Sequence, residues 1–400
     1  MRLYEFEAKA LIAKYGIPIP DGFEISKQSD NTLPQPISYP VVVKAQVLSG
    51  KRSLHHGILF AQNAQEFADA LTKIYRLRIQ GQEVDTVRIE KKIAAKKELY
   101  LSFSYDSLRH APLLMLSHHG GVGIEKSARE KSASLETVSL PLLRALPTKE
   151  IQNALSRIGL DPKNTREVLA LIEKLYTAFL QEDMHLLEIN PLMQTYMHGW
   201  IAADAKIKLD KNAFWRHPTW DAIYPPRSPF LRPLTTRELS AQIIDTGAFY
   251  YRGTAGTYMD LDGDIGILFS GGGASLVCMD ALLKAGGKPA NYSEYSGNPP
   301  QEKVYQLARI VMSKPNLRGL WIAGAIANFT QIDETFAGII RALEEARPSY
   351  PIVIRRAGPG DVRAKTMMEA VAQKLHLNLA FFGKEIPMSE TAAILVAKAY

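Results

Sequence analysis

"RGLWIAGAIANFT", residues 318–330, is the stretch on which the fold turns. The run Leu320-Trp321-Ile322-Ala323 reads as a buried strand, and it breaks abruptly into small and polar residues that carry Asn328 and Thr330 into a loop. The same pattern recurs on both sides. "GDIGILFSGGGAS" (263–275) leads to a helix expected at 274–286, and "PANYSEYSGNP" (289–299) to one at 300–313. After 318–330 comes a helix expected at 331–345; "YPIVIRRAGPG" (350–360) leads to one at 361–375, and "LNLAFFG" (377–383) to a last one at 389–399. Strands alternating with helices in this way specify an α/β unit around a parallel sheet, placed at 241–400.

Upstream the pattern is less regular. Residues 3–15 read as an amphipathic helix with Leu3, Phe6, Ala10, Leu11 and Tyr15 on one side. "YPVVVKAQV" (39–47) reads as a strand and "SGKRSLHHG" (49–57) as a polar turn. "EVDTVRIEKKI" (83–93) and "KELYLSFSYD" (97–106) read as strands paired with each other. A helical stretch at 149–184 precedes two more strands, "HLLEINPLMQT" (185–195) and "GWIAADAKIKL" (199–209). This mixture is α+β and is placed at 1–212. Between the two regions, 213–240 holds five prolines in a short span without sustained periodicity and reads as a linker or strap.

Composition narrows the class. The chain has 400 residues, which implies two or three domains. An apolar fraction of 46% and a charged fraction of 22% are those of a globular protein. No uncharged apolar run reaches the roughly 18 residues a bilayer span requires, and acids inside the first apolar pattern argue against a signal peptide. The single cysteine, Cys278, excludes an internal disulfide framework. A soluble cytoplasmic protein is the expectation. The formal charge of +7 is spread among acids with no basic stripe, which favours small anionic ligands over nucleic acid.

In the first half, Asn190 and Asp204 lie on strands joined by a hairpin. An amide oxygen and a carboxylate so placed suit a Mg²⁺ that is otherwise held by water and phosphate. Lys44 and Arg52 offer cations to those phosphates, and Glu90, ending "VRIE", offers an acceptor to a nucleotide. Taken singly, each also reads as a solvated strand-end charge. In order, however, "KAQVLSGKR", "IAAKKELYLSFSYD", "HGGVGIEK" and "EINPL" followed by "ADAK" resemble the ATP-grasp domain of the succinyl-CoA synthetase β subunit. The resemblance implies that Lys44, Lys51, Arg52, Glu90, Ile93 and Glu98 line ATP. It also implies that Asn190 and Asp204 hold Mg²⁺ and that Glu188 faces a phosphorylated histidine of a partner subunit. Two departures stand out: the family's glycine-rich loop is reduced to Gly50 and Gly57, and His119 stands where the family often has an acid before its Gly-Gly.

In the second half, Gly271-Gly272-Gly273 opens a helix with bare backbone N–H groups, a ready anion site. "EYSG" (294–297), "IANFT" (326–330) and "RRAGP" (355–359) end neighbouring strands at the edge where open α/β sheets bind ligands. Adjacent strand residues face opposite ways, so one of Arg355 and Arg356 meets a ligand and the other pairs with an acid elsewhere. These motifs, in this order, resemble the citrate-binding region of ATP-citrate lyase more than the succinate enzymes. That implies a citrate pocket of Gly272, Gly273, Gly297, Asn328, Phe329 and Thr330, with Arg356 on a carboxylate.

None of the nine histidines has the Gly-His-Ala-Gly type context in which such enzymes carry the phosphoryl group. The resemblance therefore implies a smaller subunit working with a larger, CoA-binding partner that carries the phosphohistidine and a citrate-synthase-like module, with CoA as co-substrate on that partner. A citryl-CoA synthetase subunit, a succinyl-CoA synthetase β subunit and a non-catalytic citrate-binding subunit stand as alternatives. Nucleic acid and membrane are not expected partners.

Overall fold

The computed structural model describes residues 1–28, 36–50, 52–118, 135–142, 145–196, 199–225, 227, 232, 234–248 and 250–400. The chain divides into two units, Met1–Pro233 and Leu234–Tyr400.

The first unit is α+β and holds two larger sheets. In one, β1 (Gly22–Ser26), β2 (Val41–Ala45), β3 (Ile58–Ala61) and β6 (Thr86–Lys91) run antiparallel in the order β1-β6-β2-β3. A small hairpin of β4 (Arg78–Ile79) and β5 (Gln82–Glu83) lies between β3 and β6 in sequence. The other sheet contains β7 (Ala95–Asp106), β8 (Ala111–Ser117), β9 (Leu135–Ser139), β10 (Met184–Thr195) and β11 (Trp200–Ala202), with β12 (Ala205–Leu209) also on β10. Leu99, Leu101 and Phe103 of β7 alternate into a core shared with helices Thr148–Arg157 and Pro162–Gln181.

Three expectations change here. β6 and β7 do not pair with each other: β6 pairs with β1 and β2, β7 with β8 and β10. Residues 92–94 carry the chain from one sheet to the other, a crossing that periodicity alone does not reveal. The single helix expected at 149–184 is two. Gly159, at φ +84°, ends the first, and Asp161 caps the second by accepting the Asn164 N–H at 3.0 Å ahead of Pro162. Nor is 213–240 one strap. Ala213, Trp220 and Tyr224 enter the first core, His217 stacks on Trp220 at 3.8 Å, and Arg227 pairs with Glu7 at 2.5 Å. Helix Thr236–Ile244 belongs to the second unit instead, its Thr235–Glu238 capping box closing the N-terminus.

The second unit is α/β. Its strands are β13 (Thr254–Asp260), β14 (Ile265–Ser270), β15 (Asn291–Ser296), β16 (Gly319–Ile326), β17 (Ile352–Ala357) and β18 (Leu379–Phe382), ordered β13-β15-β14-β16-β17-β18. All pairings are parallel except β13 with β15. Leaving aside β13, the order is the 2-1-3-4-5 of a flavodoxin-like sheet, whose switch point lies between β14 and β16. The central strands are buried on both faces. Leu268, Ile322 and Ile354 face helices Gln301–Met312 and Ile332–Ala346, while Ile267, Trp321 and Val353 face Gly272–Lys284 and Met388–Ala399.

Helices Gln301–Met312 and Ile332–Ala346 touch backbone to backbone at Gly338. A methyl group there would run into the Gln301 carbonyl oxygen and lie 2.9 Å from the Tyr305 nitrogen. Gly338→Ala should therefore cost about 1–3 kcal/mol by overpacking, despite the better helix propensity of alanine. Urea unfolding of the full chain checks this; an unchanged midpoint would mean that the helices separate freely.

Candidate functional site

In the first unit the structure gathers charge. Lys44, on β2, is buried and spends its three N–H groups on Glu5 (2.9 Å), Glu90 (2.7 Å) and the Ala203 carbonyl (2.7 Å). Arg52, in the 3₁₀ turn Arg52–His55, donates to Glu5, to the Ala45 carbonyl at 3.0 Å and to Asp204 at 2.6 Å. Lys9, four residues beyond Glu5 on helix Glu5–Ala13, reaches Glu5 at 2.7 Å and Glu90 at 2.5 Å. Burial pushes the Glu5 carboxyl up, but Arg52, Lys44 and Lys9 together hold it well below the ordinary glutamate range.

This arrangement corrects the expectation for Glu90. It is 2% exposed, and Lys9, Lys44 and Arg88 occupy its carboxylate, so it offers no free acceptor to a nucleotide. Lys44 reaches it from the neighbouring strand β2, Arg88 from its own strand and Lys9 from helix Glu5–Ala13. Glu5, Lys9 and Arg88 did not stand out as site residues in the sequence, although an acid and a lysine at i and i+4 on an apolar helix face were a signal.

Asn190 and Asp204 lie at one end of the same ladder. The β10–β12 register pairs Glu188 with Lys206 and Ile189 with Ala205, and Asn190 and Asp204 are the residues next beyond that last pair. Asp204 keeps 28% of its side chain exposed beside Arg52. Burial raises its pKa, with Glu5 adding to the rise, against the pull of Arg52, Lys44 and Lys9. An amide oxygen and such a carboxylate fit Mg²⁺ with phosphate oxygens completing the shell. Among the described residues no group of three or more His, Cys, Asp or Glu forms a fuller metal cage.

The other expected residues lie on several elements of the first unit. Glu188 is bonded to Lys206 at 3.2 Å. Ile93, half-buried, lies in the 92–94 connection, and Glu98 lies on β7 opposite Met193. Glu98 also lines a cleft of about 500 Å³ with Lys97, His118 and Arg157. Lys51, His119 and "GGVGIEK" lie outside the described residues. Gly57 serves packing, since a methyl group there would lie 2.7 Å from the Ile79 Cδ1.

In the second unit the two adjacent arginines part company. The acid expected for one of them is not what Arg355 bonds: it donates to the Ile386 carbonyl (2.9 Å) and the Gly324 carbonyl (3.0 Å). Arg356, 1% exposed, donates from Nη1 to the Ala325 carbonyl at 2.9 Å, while its buried Nε and Nη2 have no partner. Arg356 lies on the side of Ile354, and Gly324 makes room for it: a methyl group there would collide with its Nη1. After β16, Asn328 and Phe329 are exposed and Thr330 is buried. Gly297, at φ +71°, follows β15, and the Asn298 side chain accepts the Gln331 N–H at 2.9 Å.

The glycines at 271–273 differ from expectation. The Glu294 carboxylate, held by Tyr292 at 2.6 Å, lies 3.4 Å from where a Gly272 Cβ would be. The helix start at Gly272 and Gly273 thus already faces an acid of the chain, which opposes a second anion there.

With both clusters in view, the class is that of an ATP-grasp ligase subunit. The ATP-grasp domain model matches residues 2–194, and the ATP citrate lyase citrate-binding model matches 254–398. The β subunit of the GDP-forming succinate–CoA ligase of Thermus thermophilus is 32% identical over 371 residues, 92% of this chain and 93% of that protein. That of the ADP-forming ligase of Chloroflexus aurantiacus is 31% identical over 370 residues, with the same coverage of 92% and 93%. The chain belongs to the succinate–CoA ligase β-subunit family. ATP citrate lyase from Methanothrix soehngenii, solved in complex with citrate and coenzyme A, has the same fold. It matches at a TM-score of 0.81 over 99% of both chains with 24% identity. Among the described residues no helix is long and apolar enough to cross a membrane.

Glu5 tests the first cluster. Its depressed pKa stabilises the fold above the ordinary value near 4.5, and that stability is lost as pH falls through the lower folded value. Glu5→Gln should cost about 3–5 kcal/mol at pH 7 by leaving buried cations unpaired. It should also flatten the loss of stability below pH 4.5. Thermal unfolding across pH 3–8 reads both effects, and an unaltered acid limb would remove Glu5 from the network.

Proposed function

We propose that this chain is the ATP- and citrate-binding subunit of an ATP citrate lyase that works with a larger, CoA-binding partner. ATP bound in the first unit gives its γ-phosphoryl group to a histidine of that partner, releasing ADP. The phosphoryl group then passes to a citrate carboxylate, making citryl phosphate and freeing the histidine. The CoA thiolate adds at that carbonyl carbon and phosphate leaves, giving citryl-CoA. Cleavage of a carbon–carbon bond in the partner's citrate-synthase-like module yields acetyl-CoA and oxaloacetate.

One observation carries the citrate half of this reading: the buried Arg356, with Nε and Nη2 both unbonded, beneath the C-terminal edge of a sheet that matches the citrate-binding model. Those two nitrogens form one side of the guanidinium fork, the geometry that takes a carboxylate bidentately. Asn328, Phe329, Thr330 and Gly297 supply the rim. In the first unit, Lys44, Arg52 and Lys51 would neutralise phosphate charge. Asn190 and Asp204 would hold a Mg²⁺ that supplies Lewis-acid neutralisation of the triphosphate. Phosphoryl transfer needs positioning and charge more than covalent help, which suits such a set. Glu188, once freed from Lys206, would face the partner's histidine.

The names of the most similar curated relatives favour a second reading, a succinate–CoA ligase β subunit. Calorimetric titration with citrate and succinate separates the two. Citrate should bind and succinate should bind much more weakly; equal binding would reject the lyase. Arg356→Ala should weaken citrate roughly tenfold to a hundredfold through loss of about 1.5–3 kcal/mol. Arg355→Ala should lower stability and leave citrate affinity near wild type.

Asp204→Asn should nearly abolish transfer of label from ATP to the partner subunit while citrate binding persists. Autoradiography of the reconstituted complex reads this; undiminished labelling would reject the Mg²⁺ assignment.

A further inference from the structure

We propose that the Tyr295 hydroxyl is a third donor of the Arg356 carboxylate subsite, a role that rests on the citrate reading above and deepens it. Tyr295 is wholly buried on β15, and its hydroxyl, though the Ser270 and Thr335 side chains lie beside it, makes no hydrogen bond of ordinary geometry. The strand registers bring it toward Arg356. Tyr295 sits opposite Ser270 in the β14–β15 ladder, and Ser270 sits opposite Gly324 in the β14–β16 ladder.

Arg356 comes from β17, on the far side of β16, and its guanidinium lies over Gly324. A methyl group on Gly324 would collide with Arg356 Nη1 and lie 2.8 Å from the Ser270 carbonyl oxygen and 2.9 Å from Ser270 Cβ. The missing side chain at 324 thus opens a path along which Arg356 reaches across β16 to β14, next to the strand that bears Tyr295. Burial raises the phenol pKa against the smaller, opposing effects of the Arg356 charge and of the Thr335 and Ser270 side chains, so the group is a neutral donor at physiological pH.

Three buried donors are therefore unmet: Arg356 Nε, Arg356 Nη2 and the Tyr295 hydroxyl. They carry one positive charge between them. An unmet buried donor costs stability, and a single water could not accept from all three. A carboxylate can, taking the guanidinium edge side-on and the phenol on a remaining lone pair. Neither residue is exposed in this structure, so the carboxyl group must be inserted below the surface.

Tyr295→Phe removes one oxygen and little else. Titrated into the purified full chain, citrate should bind about tenfold more weakly than to wild type. Tricarballylate, which has the three carboxyl groups without the hydroxyl, should weaken by the same factor. Without added ligand the variant should melt at or above the wild-type temperature, because a buried hydroxyl without a partner has gone; a purely structural hydroxyl would lower it.

Wild-type citrate affinity in Tyr295→Phe, alongside a loss in Arg356→Ala, would overturn this role and leave the citrate reading standing. A fall in melting temperature that accompanies weaker binding would also overturn it, as would a loss confined to citrate, which would move the contact to the tertiary hydroxyl. Failure of the wild-type chain to bind citrate would overturn both.

Discussion

Glu5 is the point on which the first unit hangs. It sits on the first helix and is shared among Lys9, Lys44 and Arg52, which arrive from its own helix, from β2 and from the 3₁₀ turn. Buried charges are tolerated only when each finds an opposite partner, and here every member does. Arg52 extends the chain of contacts to Asp204, and Lys44 extends it to the Ala203 carbonyl beside it. The segment bearing the metal-ligand candidate and the strand bearing the lysine are thereby tied through one carboxylate. A nucleotide entering this region would not meet free cations. It would compete with the acids that already hold them, so its phosphates must match those contacts to be accepted.

The second unit shows the opposite treatment of charge. Arg355 is bonded to two carbonyls and works as a strut between β17, β16 and the segment after β18. Arg356 is equally buried yet bonded through one nitrogen. Two neighbours of the same residue type, separated only by strand alternation, differ in bonding: one is tied into the architecture, the other keeps two nitrogens unbonded. The unmet bonds of Arg356 and Tyr295 are a standing cost to the fold. Such a cost persists where something other than folding makes use of it.

Much of this was legible in the sequence where period and punctuation agree. The helix expected at 361–375 is found at Asp361–Leu375, and the doubly wound sheet follows from strands that each run into a loop and a helix. The alternation argument that separated Arg355 from Arg356 needed only the two-residue period of a strand. What stayed hidden depends on partners distant in sequence. β6 and β7 look like a hairpin because only 92–94 intervene, and nothing local says that they join different sheets. Glu90 looks like a free strand-end acid until Lys9, remote in sequence, arrives beside it. The acid that faces Gly272 is Glu294 of β15, the strand paired with β14; "EYSG" contains it, but nothing local in that motif aims it at the helix start. Tyr295 hides for a related reason: a tyrosine in an alternating strand reads as core, and only the absence of a partner distinguishes it.

The contact at Gly338 has a mechanical meaning. Helices Gln301–Met312 and Ile332–Ala346 are pressed together without intervening side chains, and the Asn298–Gln331 bond joins the segments that precede them. Gly297 leads into one helix and Asn328 to Thr330 lead into the other. The two loops are therefore one body, not two independent flaps: displacing either strains the Asn298–Gln331 bond and, through Gly338, the seating of both helices.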